Sequence, residues 1–312
     1  MKVAVHAIAL NEEQHVERWI DSTTDADLIV VGDTGSTDRT ASLLQSRGAE
    51  VYPIHVNPWR FDTARNAAWA LIPSDVDVVI KLDLDEVLAP GWRDALEKAW
   101  ETRTMDVARF TYQFVWSWLP DGSPDVQFNA DSIVTRDGWR WRSPCHETLS
   151  TVVDHESIYV PNLAIHHHPD MEKPRSSYLG LLAMGVQEEP GDDRLAHYYA
   201  RELFYQGDWD AARAEFMRHL NLPSATWAAE RAASWRYIAK MDADPERWLH
   251  RAIAEDPSRR ETWAALAELY AENFRPEEAR GAASRALSIT HRPMDYISSA
   301  QAWDDERLLG LL

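Results

Sequence analysis

Apolar runs of strand length alternate with helix-like segments through the first hundred residues. The pattern predicts strands at 3–10, 28–32, 51–56 and 76–82, and helices at 12–21, 38–47, 63–71 and 92–101. Asn11 is the predicted N-cap of the first helix, and Pro53 places the third strand near a sheet edge. Strands that alternate with helices predict parallel pairing with right-handed crossovers. The first part of the chain is therefore expected to be an α/β domain with a mostly parallel sheet.

The pattern changes after residue 106. Strand-like segments are predicted at 107–118, 132–136 and 157–166, with a turn at Asp121-Gly122. These segments are not separated by long helical stretches. We expect them to form a smaller mixed-sheet extension of the same domain, which would then span 1–172.

Beyond residue 172 the chain becomes helical and carries a weak internal repeat. Ala200, Ala212 and Leu220 correspond to Ala267, Ala279 and Leu287 at a constant offset of 67 residues. Half of that offset is close to the roughly 34-residue period of tetratricopeptide helix pairs. We therefore predict a second, all-α domain of helical hairpins over 173–312.

Composition argues against several classes of function. The 312 residues are 45% hydrophobic and 27% charged, with a net charge of −19, so a general electrostatic grip on nucleic acid is disfavoured. Cys145 is the single cysteine, which excludes an intrachain disulfide and metal sites built on several thiolates. The segment 1–10 predicts a first strand and not a signal peptide. No apolar run approaches the roughly 20 residues that span a bilayer, and the cytoplasm is the expected compartment.

Three carboxylates follow the apolar run 76–80 within four residues, in the sequence Lys81-Leu82-Asp83-Leu84-Asp85-Glu86. Carboxylates at the end of a buried strand are costly unless they meet a cation or lie at the mouth of the sheet. Asp83 and Asp85 would share one face of an extended chain. One could then hold a divalent cation while the other meets the ligand that the cation carries.

Polar side chains also follow two other predicted strands. Asn11 comes after the first strand, Asp33 ends the second, and Asp83 follows the fourth. Ligands of open α/β sheets bind beyond the carboxyl ends of the strands. We therefore expect these three residues to contribute to one site.

Four motifs in this order make the chain resemble a known family. They are Ala9-Leu10-Asn11-Glu12-Glu13, Asp33-Thr34-Gly35-Ser36-Thr37-Asp38-Arg39-Thr40, Ala64-Arg65-Asn66 and Leu82-Asp83-Leu84-Asp85-Glu86. Their order and spacing resemble family 2-like glycosyltransferases of the GT-A fold, well over the first 90 residues and more weakly to about residue 170. The helical tail resembles the tetratricopeptide-like tails of some members.

The resemblance implies transfer of a sugar from a nucleotide sugar, of the UDP or GDP type, with Mn²⁺ or Mg²⁺. Asp33 matches the acid that contacts the nucleobase, and Arg65 matches a position near the donor. Asp83 and Asp85 match the Asp-x-Asp motif, in which the second acid binds the metal and the first lies near the ribose or metal. Ala9 and Asn11 belong to the donor-binding first motif.

The segment Ser143-Pro144-Cys145-His146-Glu147 supplies a candidate base. Inverting transfer, which we expect for this hexosyltransferase-like chain, needs a carboxylate that deprotonates the acceptor hydroxyl, and Glu147 is one candidate. The alternative is a structural acid paired with Arg140 or Arg142. Glu86 is a second candidate base.

Three consecutive histidines end the last predicted strand. Alternation places His166 and His168 on one face and His167 on the other. The family-like spacing Ile165-x-His167-x-Pro169 favours His167 as a metal ligand beside Asp85. The alternative is that all three are exposed histidines at a strand end.

The expected function is therefore metal-dependent glycosyl transfer to an acceptor hydroxyl, with Asp85 and Glu147 in the catalytic roles. The acceptor is expected on a protein or other large molecule, and the helical tail would hold that acceptor or form a homodimer. A nucleotidyltransferase on a similar fold would usually have a glycine-rich loop with a basic residue after the first strand. The corresponding segment, residues 6–14, contains no glycine, so this hypothesis is disfavoured. A non-catalytic scaffold with a protein-binding helical array is the third hypothesis.

Overall fold

A computed structural model describes residues 1–169 and 178–311. The chain divides into two compact units, Met1–Pro174 and Arg175–Leu312. The domain boundary predicted between 172 and 173 lies outside the described residues.

The first unit begins with the predicted alternation of strands and helices. Its elements are β1 Val3–Ala9, α1 Glu13–Ser22, β2 Leu28–Asp33, α2 Thr40–Ser46, β3 Glu50–Pro53, α3 Phe61–Trp69, β4 Val78–Lys81, β5 Glu86–Leu88, α4 Trp92–Thr102, β6 Ala108–Val115, β7 Gln127–Thr135, β8 Arg140–Arg142, β9 Thr148–Ser150 and β10 Glu156–His167. The predicted helices and strands of 3–101 all form, with ends that differ by a few residues. The short strand β5, which begins within the acidic run, was not predicted.

One eight-stranded sheet organises this unit, in the order β3-β2-β1-β4-β7-β6-β10-β5. Strands β3, β2, β1 and β4 are mutually parallel, and β7 pairs antiparallel with β4 and β6. β10 runs parallel to β6 and antiparallel to β5. The prediction of a mostly parallel sheet with a mixed extension is confirmed, and β3 lies at the edge as Pro53 indicated.

The sheet is buried on both faces, which explains why its central strands are continuously apolar. One side packs against α1 and α4, where Trp19, Leu96 and Phe110 are completely buried. The other side is covered by α3 and the small antiparallel sheet of β8 and β9, with Trp69 and Trp141 in its core. The carboxyl ends of β1, β2 and β4 are thereby held rigidly between two apolar layers.

The regular secondary structure of the second unit is all helical in its described residues. It contains α5 Tyr178–Glu188, α6 Asp193–Tyr205, α7 Trp209–Asn221, α8 Ala228–Lys240, α9 Glu246–Glu255, α10 Arg260–Glu272, α11 Pro276–Leu287, a 3-10 helix at Ala300–Trp303 and α12 Asp305–Leu309. Helix α6 packs on α7, α8 on α9, and α10 on α11. Ala200, Ala212, Ala267 and Ala279 of the predicted repeat are all buried. Small residues at these equivalent positions let successive helices approach closely, so the all-α, helical-hairpin prediction is confirmed.

No helix in the described ranges is both long and apolar enough to cross a membrane.

The predicted N-cap role of Asn11 is wrong. Glu12 is the N-cap of α1, although its side chain makes no capping hydrogen bond to the helix, and Asn11 adopts φ +55°. The Oδ1 atom of Asn11 instead accepts a hydrogen bond from the backbone N–H of Thr37, at 2.8 Å. The side chain therefore ties the loop after β1 to the loop after β2.

Gly32 sets how closely α3 approaches the end of β2. A Cβ at this position would lie 2.8 Å from Cδ1 of Ile54 and 3.1 Å from Cβ of Ala68. We expect Gly32→Ala to lower the free energy of unfolding by about 1–3 kcal/mol because the Ile54 side chain and the Ala68 methyl group must both move to make room. Gly281→Ala, in α11 with open space around it, should instead raise stability by about 0.5–1 kcal/mol. Urea denaturation followed by circular dichroism measures both, and a neutral Gly32→Ala would contradict the tight packing.

Candidate active site

Adjacent parallel strands bring the ends of β2, β1 and β4 to one edge of the sheet. In the register, Asp33 lies beside Ala9, and Lys81 lies beside His6. The backbone carbonyl of Ala9 accepts hydrogen bonds from the N–H and the hydroxyl of Thr34, both at 2.9 Å. The predicted donor-binding residues Ala9, Asn11 and Asp33 are therefore brought together.

Asp33 folds back on the turn that follows it. Its carboxylate accepts hydrogen bonds from the backbone N–H of Gly35 and of Ser36, at 3.2–3.3 Å. Gly35 adopts φ +114°, a conformation that a side chain would strain. The turn holds the half-buried carboxylate of Asp33 in place at the sheet edge.

Arg65 is the centre of a buried ionic network. It projects from α3 with only 5% of its side chain exposed. Its Nη1 and Nη2 atoms donate to the two oxygens of Asp83, at 2.9 and 3.1 Å, and its Nε donates to Oε1 of Glu147. Although burial opposes the charge, these two carboxylates raise the pKa of Arg65, so the guanidinium stays protonated. Arg65 thus contacts both Asp83 and Glu147 directly, although the three residues were predicted from three separate motifs.

Lys81 supplies a second buried cation to the same carboxylates. Its Nζ lies 2.8 Å from Oδ2 of Asp83 and 3.1 Å from Oε1 of Glu86. Although burial alone would raise it, Arg65 and Lys81 hold the pKa of Asp83 well below its usual range. Burial raises the pKa of Glu86 to about 7, with the charges of Asp83 and Asp85 adding to the effect and Lys81 opposing it.

The expectation that Asp83 and Asp85 share one face of an extended strand is wrong. Strand β4 ends at Lys81, and residues 83–86 form a turn closed by a 2.9 Å hydrogen bond from the N–H of Glu86 to the carbonyl of Asp83. A second bond, from the N–H of Asp83 to Oε2 of Glu86 at 2.8 Å, fixes the turn. Asp83 consequently meets Arg65 and Lys81, whereas Asp85 faces β10.

His167 is the histidine that meets Asp85. Its Nε2 lies 3.4 Å from Oδ2 of Asp85, and its Nδ1 lies 3.1 Å from the carbonyl of Trp116. The ring stacks on the indole of Trp116, with centroids 4.3 Å apart. Burial lowers the pKa of His167, but its hydrogen bond and charge contact with Asp85 outweigh that effect and raise it overall.

The two neighbouring histidines lie elsewhere. His166 and His168 both contact the indole of Trp118, with centroids 5.0 and 6.1 Å away. Both have a lowered pKa, caused by burial. The backbone N–H of His168 donates to the carbonyl of Asp85, at 2.7 Å, which anchors the acidic turn to the end of β10.

Sequence reasoning missed two features of this network. It considered Arg140 or Arg142 as ion partners of Glu147, but the partner is Arg65, because the segment after β8 returns over α3. It also left Lys81 without a role. The alternation applied to Asp83 would have placed Lys81 on the same face, two residues earlier along β4.

The geometry is therefore a sheet-edge site with carboxylates, two buried cations and an imidazole. The model of glycosyl transferase family 2 matches residues 5–139, a range that includes the ends of β1, β2 and β4. Residues 5–139 form a glycosyltransferase family 2 domain. The predicted resemblance is confirmed, and Asp33, Arg65, Asp83 and Asp85 all lie within the matched range.

Relatives of the family 2 domain cover only part of this chain. An uncharacterized glycosyltransferase of Rickettsia bellii is 30% identical over 106 residues, which is 34% of this chain and 35% of that protein. The chain thus spans about a third of the length of this relative. Among solved structures, Mycobacterium tuberculosis glucosyl-3-phosphoglycerate synthase with Mn²⁺ and UDP-glucose is 26% identical, covering 36% of this chain and 43% of its own, with a TM-score of 0.30. MamA is 14% identical, covering 44% of this chain and 81% of its own, with a TM-score of 0.32.

Removing the Arg65 guanidinium should damage the fold of the family 2 domain as well as its site. Arg65→Met leaves Glu147 without its buried ion partner and Asp83 with Lys81 alone. We expect a loss of about 3–5 kcal/mol in the free energy of unfolding.

Arg47 provides the matched control, because it also pairs with two carboxylates, Glu17 and Asp21, on an exposed surface. Surface pairs contribute little, so Arg47→Met should leave the urea midpoint nearly unchanged. Equal losses in the two variants would contradict the central role of the buried network.

Proposed function

We propose that the chain is a metal-dependent glycosyltransferase that moves a hexosyl group from a UDP- or GDP-type nucleotide sugar to an acceptor hydroxyl on a protein or other large molecule. The observation that carries the proposal is the family 2 match over 5–139, which contains the carboxylate and arginine cluster at the sheet edge. The carboxyl end of a parallel sheet is where α/β folds bind nucleotides.

Asp85 and His167 are the residues that we assign to a divalent cation, Mn²⁺ or Mg²⁺. A metal-binding histidine usually donates its second ring N–H to a backbone carbonyl, and Nδ1 of His167 has that partner in Trp116. This orientation directs Nε2 toward Asp85, so that its lone pair would be available to a cation bound between the two side chains. When bound, such a cation neutralises charge on the leaving diphosphate. The mixed nitrogen and oxygen donor set fits Mn²⁺ better than Mg²⁺.

We assign Asp83 to the donor and not to the first coordination shell of the metal. Both of its oxygens already contact cationic side chains, Arg65 and Lys81. This arrangement leaves it able to orient the donor near the ribose. Asp33, held by its own turn, is assigned to the nucleobase, with Asn11 and Ala9 forming the adjacent wall.

Glu147 is the residue that we assign as base in an inverting transfer. The acceptor oxygen would form a bond to the anomeric carbon while the bond from that carbon to the diphosphate oxygen breaks. Glu147 would take the hydroxyl proton, and the nucleoside diphosphate would leave with the bonding electrons. Arg65 donates a hydrogen bond to one oxygen of Glu147, which keeps the carboxylate oriented.

Nucleotide binding gives the first test. Melting midpoints with UDP or GDP should rise only when Mn²⁺ is added, because the Asp85–His167 pair must bind the diphosphate through a cation. A ligand at 100 times its dissociation constant adds about 2.7 kcal/mol of stability. Asp85→Asn should lose this shift and about 10²-fold or more of the transfer rate.

Asp75→Asn is the control for that test, since exposed Asp75 precedes β4 at the opposite end of the strand and pairs with Lys2. It should retain both the shift and the rate. Insensitivity of the unaltered chain to every nucleotide with Mn²⁺ would favour the scaffold hypothesis, and release of pyrophosphate from a nucleoside triphosphate would favour a nucleotidyltransferase.

The base assignment predicts a separation of kinetic constants. Glu147→Gln keeps the shape of the side chain and an oxygen for Arg65, but it cannot accept the proton, so kcat should fall about 10²–10⁴-fold with little change in the donor KM. Steady-state kinetics and NMR of the anomeric configuration of the product measure the two parts of the claim. A raised KM with kcat preserved would assign Glu147 to positioning Arg65, and a product of retained configuration would refute inversion.

A further inference from the structure

The helical unit contains a buried polar cluster that the proposed transfer does not use. His197 lies on α6, His219 on α7, and both Glu230 and Ser234 on α8. All four are at most 3% exposed. Burying a carboxylate and two imidazoles is costly unless each polar atom is satisfied, so the cluster requires a compensating interaction.

Hydrogen bonds satisfy only part of this cluster. Ser234 Oγ lies 2.9 Å from Nδ1 of His197 and 3.0 Å from Nδ1 of His219. One oxygen of Glu230 accepts a hydrogen bond from the Tyr296 hydroxyl. The other, Oε1, lies 3.2 Å from Nε2 of His219, yet that nitrogen makes no hydrogen bond and is completely buried. In the described ranges, no arginine or lysine pairs with Glu230.

The distance between Nε2 of His219 and Oε1 of Glu230 is close to the spacing of two ligands of one cation. Ligands of a tetrahedral Zn²⁺ at about 2.0–2.2 Å lie roughly 3.3–3.6 Å from one another. Nε2 of His219 and Oε1 of Glu230 are already that close. One ligating atom from each of His197, His219 and Glu230 lies within 4.8 Å of the other two. The ring of His197 would therefore have to move by roughly 1 Å to reach the spacing of a tetrahedral site.

The surrounding groups match the outer shell of a metal site. A serine oxygen has two acceptor lone pairs, so Ser234 can accept the Nδ1–H of both rings at once. That pattern leaves the lone pair of His219 Nε2 directed at Glu230. Metal-bound histidines and carboxylates are commonly oriented by such partners, and Tyr296 provides one for Glu230.

We propose that His197, His219 and Glu230 bind a divalent transition-metal ion of the Zn²⁺ class inside the helical unit. The ion would link α6 and α7 to α8, and so join the first helical hairpin to the next. The role is structural, because all three ligands are buried. This inference is independent of the proposed glycosyl transfer and of the Asp85–His167 pair.

The test counts zinc in the full chain. Because Asp85 and His167 could bind an ion of their own, the count is made in a background carrying Asp85→Asn and His167→Gln. After removal of metal and dialysis against zinc, elemental analysis should find one equivalent per chain. Zinc should also raise the melting midpoint, and cobalt in its place should give the visible absorption of a tetrahedral site.

Three variants in that background decide the assignment. Glu230→Gln keeps an oxygen for Tyr296 and should lose the bound equivalent, and Ser234→Ala should weaken zinc affinity about 10–100-fold. The matched control is Glu246→Gln, which alters a half-buried glutamate that lies 3.5 Å from His250 outside the cluster and should leave the bound zinc equivalent unchanged. The proposal is overturned if the background chain binds no stoichiometric zinc, if zinc leaves its melting midpoint unchanged, or if Glu230→Gln retains the ion.

Discussion

The guanidinium of Arg65 joins three segments of the first unit that are far apart in sequence. It pairs with Asp83, 18 residues away, and with Glu147, 82 residues away. An arginine is suited to this position because its planar group can donate to one carboxylate through two nitrogens and to another through the third. A lysine has no such fork, so it could not hold both carboxylates in fixed directions. Helix α3, the turn after β4 and the segment before β9 therefore depend on one side chain for their alignment.

The charge balance around Arg65 explains how so many ionisable groups can share a small volume. Arg65 and Lys81 face Asp83, Glu86 and Glu147, so two positive groups offset most of the charge of three carboxylates. The excess negative charge is reduced at Glu86, whose pKa of about 7 permits it to be protonated near neutrality. His6, completely buried beneath the same site, stays neutral because burial and Arg65 lower its pKa to about 3. A further positive charge is thus kept out of the network.

The sequence predicted the sheet and the convergence of its strand ends, because strand alternation and crossover rules act locally. It did not predict which acids would pair with which cations. Asp83 and Asp85 looked equivalent in an extended chain, and only the turn closed by Glu86 separates them. The ion partner of Glu147 also could not be predicted from the sequence, because it depends on how the segment after β8 packs over α3. In the helical unit, the small repeated residues Ala200 and Ala267 revealed the hairpins, whereas the cluster of His197, His219 and Glu230 joins three helices and has no local signature.

The separation of Asp83 from Asp85 also determines which of the two carboxylates is already neutralised by positive side chains. Asp83 is already compensated by two positive side chains within 3.1 Å. A divalent ion would have to displace one of them or be repelled by both. Asp85 instead faces an imidazole that can give up its proton and present a lone pair, oriented by the carbonyl of Trp116. The local charges therefore support our proposal that the second acid of the pair is the metal ligand, and they leave the first as a fixed anion, held in place by the same arginine that aligns the rest of the site.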